Sequence, residues 1–362
     1  HLASSTPQWA KYKPFAEFEL TKDKGSKSSK ILFKNKKGKE FTVESNRNLS
    51  WDLKKDTPSN KIGFEKTKAA GVLIEERGEH MPTTYTHYRF GKDVLDALPR
   101  RIRTAMETNR ELFDIGLHGP DILFYYKPLR PNPVNQIGYD LHGHSGKEFF
   151  ERAKNIINSQ KEKEPFLAYT YGVLNHFALD VSCHGYIDEK IAASGISHTE
   201  IEVEFDRMLM LMDGKDPLRQ NLTEHIVPCM ENAEVIRWFY PKTTPADVRE
   251  ALKGMITYNN MLIAPSRIRR FFIYVLLYVS GNYKEMHGLL VNYRKNPQCE
   301  DSNRQLMQYY CQAKLSALRM ISQFGTYLDG SRGLEPIFDY SFGSQLVGKE
   351  VVQNGKEVKH AV

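Results

Sequence analysis

The segment H-F-A-L-D-V-S-C-H places His176, Asp180 and His184 at every fourth residue. On an α-helix, residues four apart project from one face about 6 Å from each other, so this segment aims two imidazoles and a carboxylate along a single line. The segment S-H-T-E-I-E repeats the device with His198 and Glu202, and an upstream G-L-H-G-P-D ends at Asp121. This is metal-ligand spacing. It commits the middle of the chain to helices whose ligand-bearing faces converge.

Eight of the twelve histidines fall between His80 and His198. For any single one, a satisfied core or surface imidazole is the ordinary explanation. The joint pattern is harder to dismiss. Nitrogen and carboxylate ligands without converging cysteines suit zinc or a similar borderline metal, and too many groups converge for one tetrahedral ion. Two or three ions are expected, with zinc the first choice. A set rich in carboxylates and poor in cysteine also argues for open coordination, because structural zinc sites usually close all four positions with protein groups.

A chain of 362 residues exceeds one ordinary core and implies a large domain plus an appendage. With 40% hydrophobic and 11% aromatic residues it has the material for a packed interior. Residues 1–80 hold 17 of the 51 Lys and Arg but 11 of the 44 Asp and Glu, so almost all the net charge of +7 sits there. Polyanions or acidic membrane faces are the partners such a segment attracts. Lys30–Glu44 alternates apolar and polar residues on both sides of Asn35–Gly38, which predicts a β-hairpin, with Phe15–Leu20 as a third strand.

From residue 81 to about 330 the pattern is helical. Val94, Leu95, Leu98, Ile102 and Met106 recur at helix period within Lys92–Phe113, with Pro99 as a divider. Pro120–Pro133 reads as an irregular loop. Further helices are predicted over Ser145–Gln160, Pro165–Cys183, Thr223–Trp238, Pro245–Met261, Ser266–Val279 and Asp301–Phe324, with Thr244 and Ser302 as N-caps. Residues 331–362 read as a tail, with an Asn354-Gly355 hairpin turn. The expected fold class is an all-α multi-helix domain behind a small basic β-containing segment.

The four cysteines, Cys183, Cys229, Cys299 and Cys311, include no C-x-x-C pair and do not form a disulfide framework pattern. A reducing, cytoplasmic location is the simpler expectation, with secretion left open if a start segment precedes His1. The longest apolar run, Phe271–Val279, is about half the length that spans a bilayer.

The segments T-Y-T-H-Y-R-F-G, G-L-H-G-P-D-I-L-F-Y-Y-K, L-H-G-H-S-G-K-E-F-F, H-F-A-L-D-V-S-C-H and S-H-T-E-I-E-V-E-F-D together resemble the bacterial zinc-dependent phospholipase C family, whose superfamily also holds zinc single-strand nucleases. The resemblance implies a helical fold with a trinuclear zinc cleft. It assigns Asp121, His142, His176 and Asp180 to one zinc, His184, His198 and Glu202 to a second, and His87 with a bridging Asp180 to a third. His144 competes with His142, and His118 is expected behind the ligands rather than among them. In secreted members the mature N-terminal amine completes the third site. Here eighty residues precede Met81, and their removal with Met81 would expose the amine of Pro82. The family's aromatic residue after the metal-binding aspartate is replaced by Ile122, so Tyr125 and Tyr126 are the candidates for contact with a cationic head group.

The expected chemistry is phosphodiester hydrolysis, because clustered divalent ions stabilise the charge that builds on phosphoryl oxygens and lower the pKa of bound water toward about 7. Asp121 is the expected general base. Glycerophospholipid is the first substrate choice, giving diacylglycerol and a phosphorylated head group. Single-stranded nucleic acid or another phosphodiester on the same site is the second, and a non-catalytic, metal-stabilised helical binding protein is the third.

Overall fold

The computed structural model describes residues 15–21, 29–35 and 40–45 by their backbone, and residues 83–128, 130–279, 283 and 287–347 with their side chains. The chain divides into two compact units, His1–Arg77 and Gly78–Val362. The first holds three antiparallel strands, β1 (Phe15–Thr21), β2 (Ser29–Asn35) and β3 (Glu40–Ser45), in the order β1-β2-β3. Phe33 pairs with Phe41 and Lys30 with Glu44 across β2 and β3, the hairpin that alternation specifies. Met81, Pro82 and the Asn354-Gly355 turn lie outside the described residues.

The second unit is built from helices. They are α1 (Thr84–Leu95), α2 (Arg100–Thr108), α3 (Arg110–Gly116), α4 (Pro133–Gly143), α5 (Gly146–Ser159), α6 (Glu164–Ser194), α7 (His198–Met212), α8 (Met230–Ile236), α9 (Pro245–Leu262), α10 (Arg267–Val279) and α11 (Glu300–Leu328). Pro99 does divide the first run, standing at the N-cap of α2. Three expectations are corrected. The loop after Pro120 begins as a 3-10 turn over Gly119–Tyr125, and α4, which the sequence reading passed over, follows from Pro133. Asn132 and Asn135 form a reciprocal capping box there, with Pro133 in the first turn where its missing N–H costs nothing. The run expected from Thr223 becomes helical only at Met230, after Pro228. Helix α11 starts at Glu300, so Ser302 lies inside its first turn and its hydroxyl donates to the Cys299 carbonyl.

Helix α6 is the axis of the domain. Every residue from Ala168 to Asp180 is buried, which is the pattern of a helix surrounded on all sides rather than one lying on a surface. It packs most extensively against α3 and α11. The α3 contact is closest at Gly116 and Gly172, where a Cβ on either would collide with backbone of the other helix, Tyr169 O in one case and Phe113 O in the other. Two glycines therefore set how near the chain entering the Asp121 turn comes to α6. Gly195, in the left-handed conformation at φ 70°, ends α6, and Ser197 caps α7 two residues later through the Glu200 N–H. This tight connection folds α7 back so that its ligand face meets that of α6.

The described part of the C-terminal region is not a loose tail. A 3-10 turn over Pro336–Asp339 returns the chain to α5, where Gly146 N–H donates to Tyr340 O at 2.7 Å. Phe338 and Phe342 are buried there among Phe149, Phe150 and Phe177, in edge-to-face and stacked pairs. Apolar burial draws this segment in, which composition alone did not reveal.

Candidate metal centre

Five elements, α6 among them, supply the ligand candidates. His176, Asp180 and His184 stand one turn apart on α6 itself, His198 and Glu202 one turn apart on α7. His87 comes from the first turn of α1, Asp121 from the 3-10 turn and His142 from the last turn of α4. The Asp121 turn can approach because Gly119 takes φ +50°, and a Cβ there would strike the His176 ring. All eight groups meet.

They form three trios, in each of which the donor atoms lie within 4.8 Å of one another: His87, His176 and Asp180; Asp121, His142 and His176; His184, His198 and Glu202. The grouping differs from the one the resemblance implied, since His87 stands beside His176 as well as Asp180, with the two Nδ1 atoms 3.2 Å apart. Asp180 connects the trios. Its Oδ2 is 2.9 Å from His176 Nε2, while Oδ1 lies 3.4 Å from His87 Nε2 and 3.9 Å from His184 Nε2. Asp121 is similarly divided, with Oδ1 2.9 Å from His142 Nε2 and Oδ2 3.6 Å from His176 Nε2. Glu202 Oε1 is 3.1 Å from His198 Nε2 and 3.7 Å from His184 Nε2.

These close approaches are poor hydrogen bonds. Asp121 Oδ1, Asp180 Oδ2 and His176 Nε2 are buried and make no hydrogen bond of acceptable geometry. A native interior rarely leaves such atoms without partners. Each belongs to a side chain of a trio whose donor atoms lie within 4.8 Å of one another, and the donor set of imidazole nitrogens and carboxylate oxygens fits a borderline divalent metal such as zinc.

Burial and mutual charge set the protonation of the trios. For His87, burial dominates and pushes the imidazole down to about 4, with Asp180 opposing, so it stands neutral and ready to ligate. For His184, burial acts in the same direction but Asp180 and Glu202 outweigh it and raise the group to about 9. His176 is likewise raised against burial by Asp180 and Asp121. Burial alone would raise the carboxyls of Asp180 and Glu202, yet the surrounding histidines hold both well below the usual carboxylate range. A metal ion would replace the protons.

Solvent reaches the centre at both ends. A pocket lined by Thr83, Thr86, His87, Asp180, His184 and Glu202 opens on the α7 side. At the other end the His142 side chain keeps 19% of its surface exposed. Behind His142 and His176, Phe342 packs with ring centroids 6.1 and 5.8 Å away. Gly343 N–H donates to the His142 carbonyl at 3.1 Å, and the Ser344 hydroxyl to the Asp180 carbonyl at 2.8 Å. The C-terminal segment thus clasps two ligand-bearing helices from behind.

The remaining sequence candidates fall outside the trios. His144 pairs with Glu148 at 3.1 Å on the surface, its side chain 57% exposed, so His142 alone of the two faces Asp121. His118 is buried 6.5 Å from the His87 ring, and its Nε2 lies 2.7 Å from His225 Nε2, with Tyr88 stacked on the far side of His225. Tyr125 is buried, its hydroxyl accepting from Asn259 Nδ2 at 3.2 Å, and one face of Tyr126 is covered by the Lys127 ammonium at 4.8 Å. Neither tyrosine joins the trios.

Two supporting residues escaped the sequence reading. His225 follows α7 in a turn with no helical periodicity to mark it. Asp206 was findable, since it continues the four-residue series of His198 and Glu202 along α7. Its carboxylate accepts from the backbone N–H of Tyr85 at 3.2 Å, from that of Thr86 at 2.8 Å and from the Thr86 hydroxyl. Those are the free donors of the first turn of α1, so Asp206 ties the His87 turn to the helix that carries Glu202.

A helical domain that gathers five imidazoles and three carboxylates around one buried helix has the donor set of a metal-binding protein. Residues 86–259 match the family model described as zinc dependent phospholipase C. The matched stretch spans all eight residues of the trios. No curated protein and no solved structure matches the chain.

Proposed function

We propose that the protein is a zinc-dependent phospholipase C, which hydrolyses glycerophospholipid between glycerol and phosphate to give diacylglycerol and a phosphorylated head group. The observation that carries this reading is the coincidence of the family stretch with three donor trios, two of which share His176, while Asp180 lies beside His87, His176 and His184. Adjoining trios of this kind support a reading in which the ions would act together on one substrate phosphate. When bound, the ions neutralise phosphoryl oxygens and lower the pKa of water.

The chain's own groups supply the rest. In the reaction the water oxygen forms a bond to phosphorus, the bond from phosphorus to the glycerol oxygen breaks, and that oxygen takes up a proton. Asp121, at the solvent-reached end beside His142, accepts the proton of the attacking water on Oδ1, the oxygen that makes no good hydrogen bond. His87, His176 and Asp180 hold fixed positions because α6 is enclosed on all sides and α1 is tied down by Asp206. Preorganisation of this sort makes electrostatic stabilisation effective, since little reorganisation accompanies the reaction.

The test is elemental analysis of the purified protein together with turnover of three substrates: phosphatidylcholine or phosphatidylethanolamine vesicles, a soluble aryl phosphodiester, and a single-stranded oligonucleotide. Bound zinc, chelator-sensitive release of diacylglycerol and little nucleolysis are the expected outcome. Faster cleavage of the oligonucleotide than of lipid would replace this reading with a nuclease on the same site. A protein without zinc and indifferent to chelators would remove the hydrolase reading altogether.

A further inference from the structure

Helix α10 has two apolar faces. Ile273 and Leu277 are buried against the domain, with Arg270 beside them. On the opposite face, Ile268, Phe271, Phe272, Val275, Leu276 and Val279 recur three and four apart, yet remain 72, 62, 66, 42, 55 and 78% exposed. Tyr278 at their edge is 78% exposed. With about 200 Å² for each aromatic side chain, Phe271, Phe272 and Tyr278 alone leave roughly 400 Å² open to water. The whole face exceeds what soluble monomers ordinarily expose, and a patch of that size marks an interaction surface.

Charge narrows the partner. Helix α10 contains no acidic residue, and Arg267 and Arg269 are exposed at its start. Arg269 is held over the end of α9 by the carbonyls of Asn260 and Met261, at 2.9 and 3.3 Å. Aromatic and aliphatic residues on one face with arginines at its margin are the composition of a helix that lies in the interfacial plane of an anionic bilayer. At 13 residues α10 is too short to cross one, and among the described residues no helix is long and apolar enough to do so.

Position gives the surface a purpose. Arg270, on the inner face, lines a cleft together with Thr83, Tyr125, Asp206 and Asn259. Thr83 also borders the pocket that contains His87, Asp180, His184 and Glu202. Helix α10 thus borders, by its inner face, a cleft that shares Thr83 with the pocket at the metal centre, and it lies beyond residue 259, outside the family stretch.

We propose that α10 docks the protein on an anionic phospholipid surface, with Phe271, Phe272, Leu276 and Val279 among the acyl chains and Arg267 and Arg269 at the lipid phosphates. Its purpose rests on the phospholipid reading of the active centre; the docking itself does not require hydrolysis. The full chain is sedimented with vesicles of phosphatidylcholine, with and without phosphatidylglycerol, beside a Phe271→Ala/Phe272→Ala variant and an Arg267→Glu/Arg269→Glu variant, each checked for native circular dichroism. The parent protein should pellet with the anionic vesicles. The aromatic pair should lower partitioning about tenfold or more in both vesicle types, and the arginine pair should remove the preference for phosphatidylglycerol. Hydrolysis of vesicle lipid should fall with binding, while turnover of a soluble aryl phosphodiester is unchanged. Binding without any lipid hydrolysis would support docking and count against the phospholipase reading alone. Docking is overturned if the parent protein stays in the supernatant, if the variants bind as well as it does, or if the aromatic pair converts a dimer to monomers without changing vesicle binding.

Discussion

The two ends of the metal centre are assembled by different means. At the α7 end, His184, His198 and Glu202 come from two consecutive helices joined by the tight Gly195–Ser197 connection, and the side chains are 16, 11 and 10% exposed. At the other end, Asp121, His142 and His176 come from a 3-10 turn, α4 and α6, with Asp121 and His176 only 4 and 0% exposed. One end is local in sequence, the other distant, with Asp121 and His176 enclosed and only His142, 19% exposed, reaching solvent. The local end depends on helix periodicity, while the distant end depends on the close α3–α6 packing at Gly116 and Gly172 and on the positive φ of Gly119.

The sharpest way to break the distinction is to remove what the trios share. Asp180→Asn should reduce turnover by about a thousandfold or more, because the carboxylate lies between His87, His176 and His184. Zinc content should drop by more than the loss of one trio, with far-ultraviolet circular dichroism nearly unchanged. Retained turnover would show that the two ends work separately.

Single-end substitutions should then separate them. His198→Ala should lower zinc content by about one ion and leave thermal stability within about 1 kcal/mol of the parent, as the site is near the surface. Gly119→Ala should cost more stability, about 1–3 kcal/mol from backbone strain and the clash with His176, and should also cut activity by unseating Asp121. Equal melting shifts for the two variants would contradict the contrast.

Proton linkage offers a finer distinction. His184 is raised to about 9 in the apo protein, so metal entering its trio must displace a proton at neutral pH, and affinity there should rise with pH until about 9, by up to tenfold per unit. His87 is lowered to about 4 and should impose no such dependence above that value. The sign for apo stability is opposite to that for metal: the His184 contribution is complete below its unperturbed value of 6.5 and is lost as pH rises through about 9. Zinc titration by calorimetry in buffers of differing ionisation heat would count the protons released. A pH-independent affinity would remove the proton release predicted for the His184 trio.

The smallest expected effect belongs to Asp206→Asn, which keeps the shape of the side chain but weakens its hold on the first turn of α1. An outer partner of this kind is worth about 10–100-fold in metal affinity or activity. The loss should be confined to the His87 trio, read as a drop in kcat with KM for a soluble phosphodiester unchanged. Burial raises the Asp206 carboxyl to about 7, so its contribution to stability is present below its ordinary value and fades as pH rises through 7. The Asn variant should flatten that part of the stability profile.

Much of this arrangement was legible in the amino-acid order. Four-residue spacing marked His176, Asp180, His184, His198 and Glu202, and the family motifs added His87, Asp121 and His142. What periodicity could not supply was grouping: the closeness of His87 to His176 follows from the placement of α1, which no local pattern encodes. Helix α4 was hidden because Pro120, Pro128, Pro131 and Pro133 read together as a breaker-rich loop, although Pro133 in fact opens a helix. Tyr125 and Tyr126 looked available as a cation-accepting face because nothing in a sequence shows that one ring is enclosed and that the other already carries Lys127.

The clasp formed by Phe342, Gly343 and Ser344 has a practical consequence for anyone trimming this protein. Residues more than eighty positions past the end of the family stretch brace the carbonyls of His142 and Asp180. A recombinant fragment cut to the family boundaries would keep all eight ligand candidates and forfeit the brace, along with the Phe338 and Phe342 rings that fill the space beneath it. Such a fragment would be a poor stand-in for the whole, and its inactivity would say nothing about the ligands themselves.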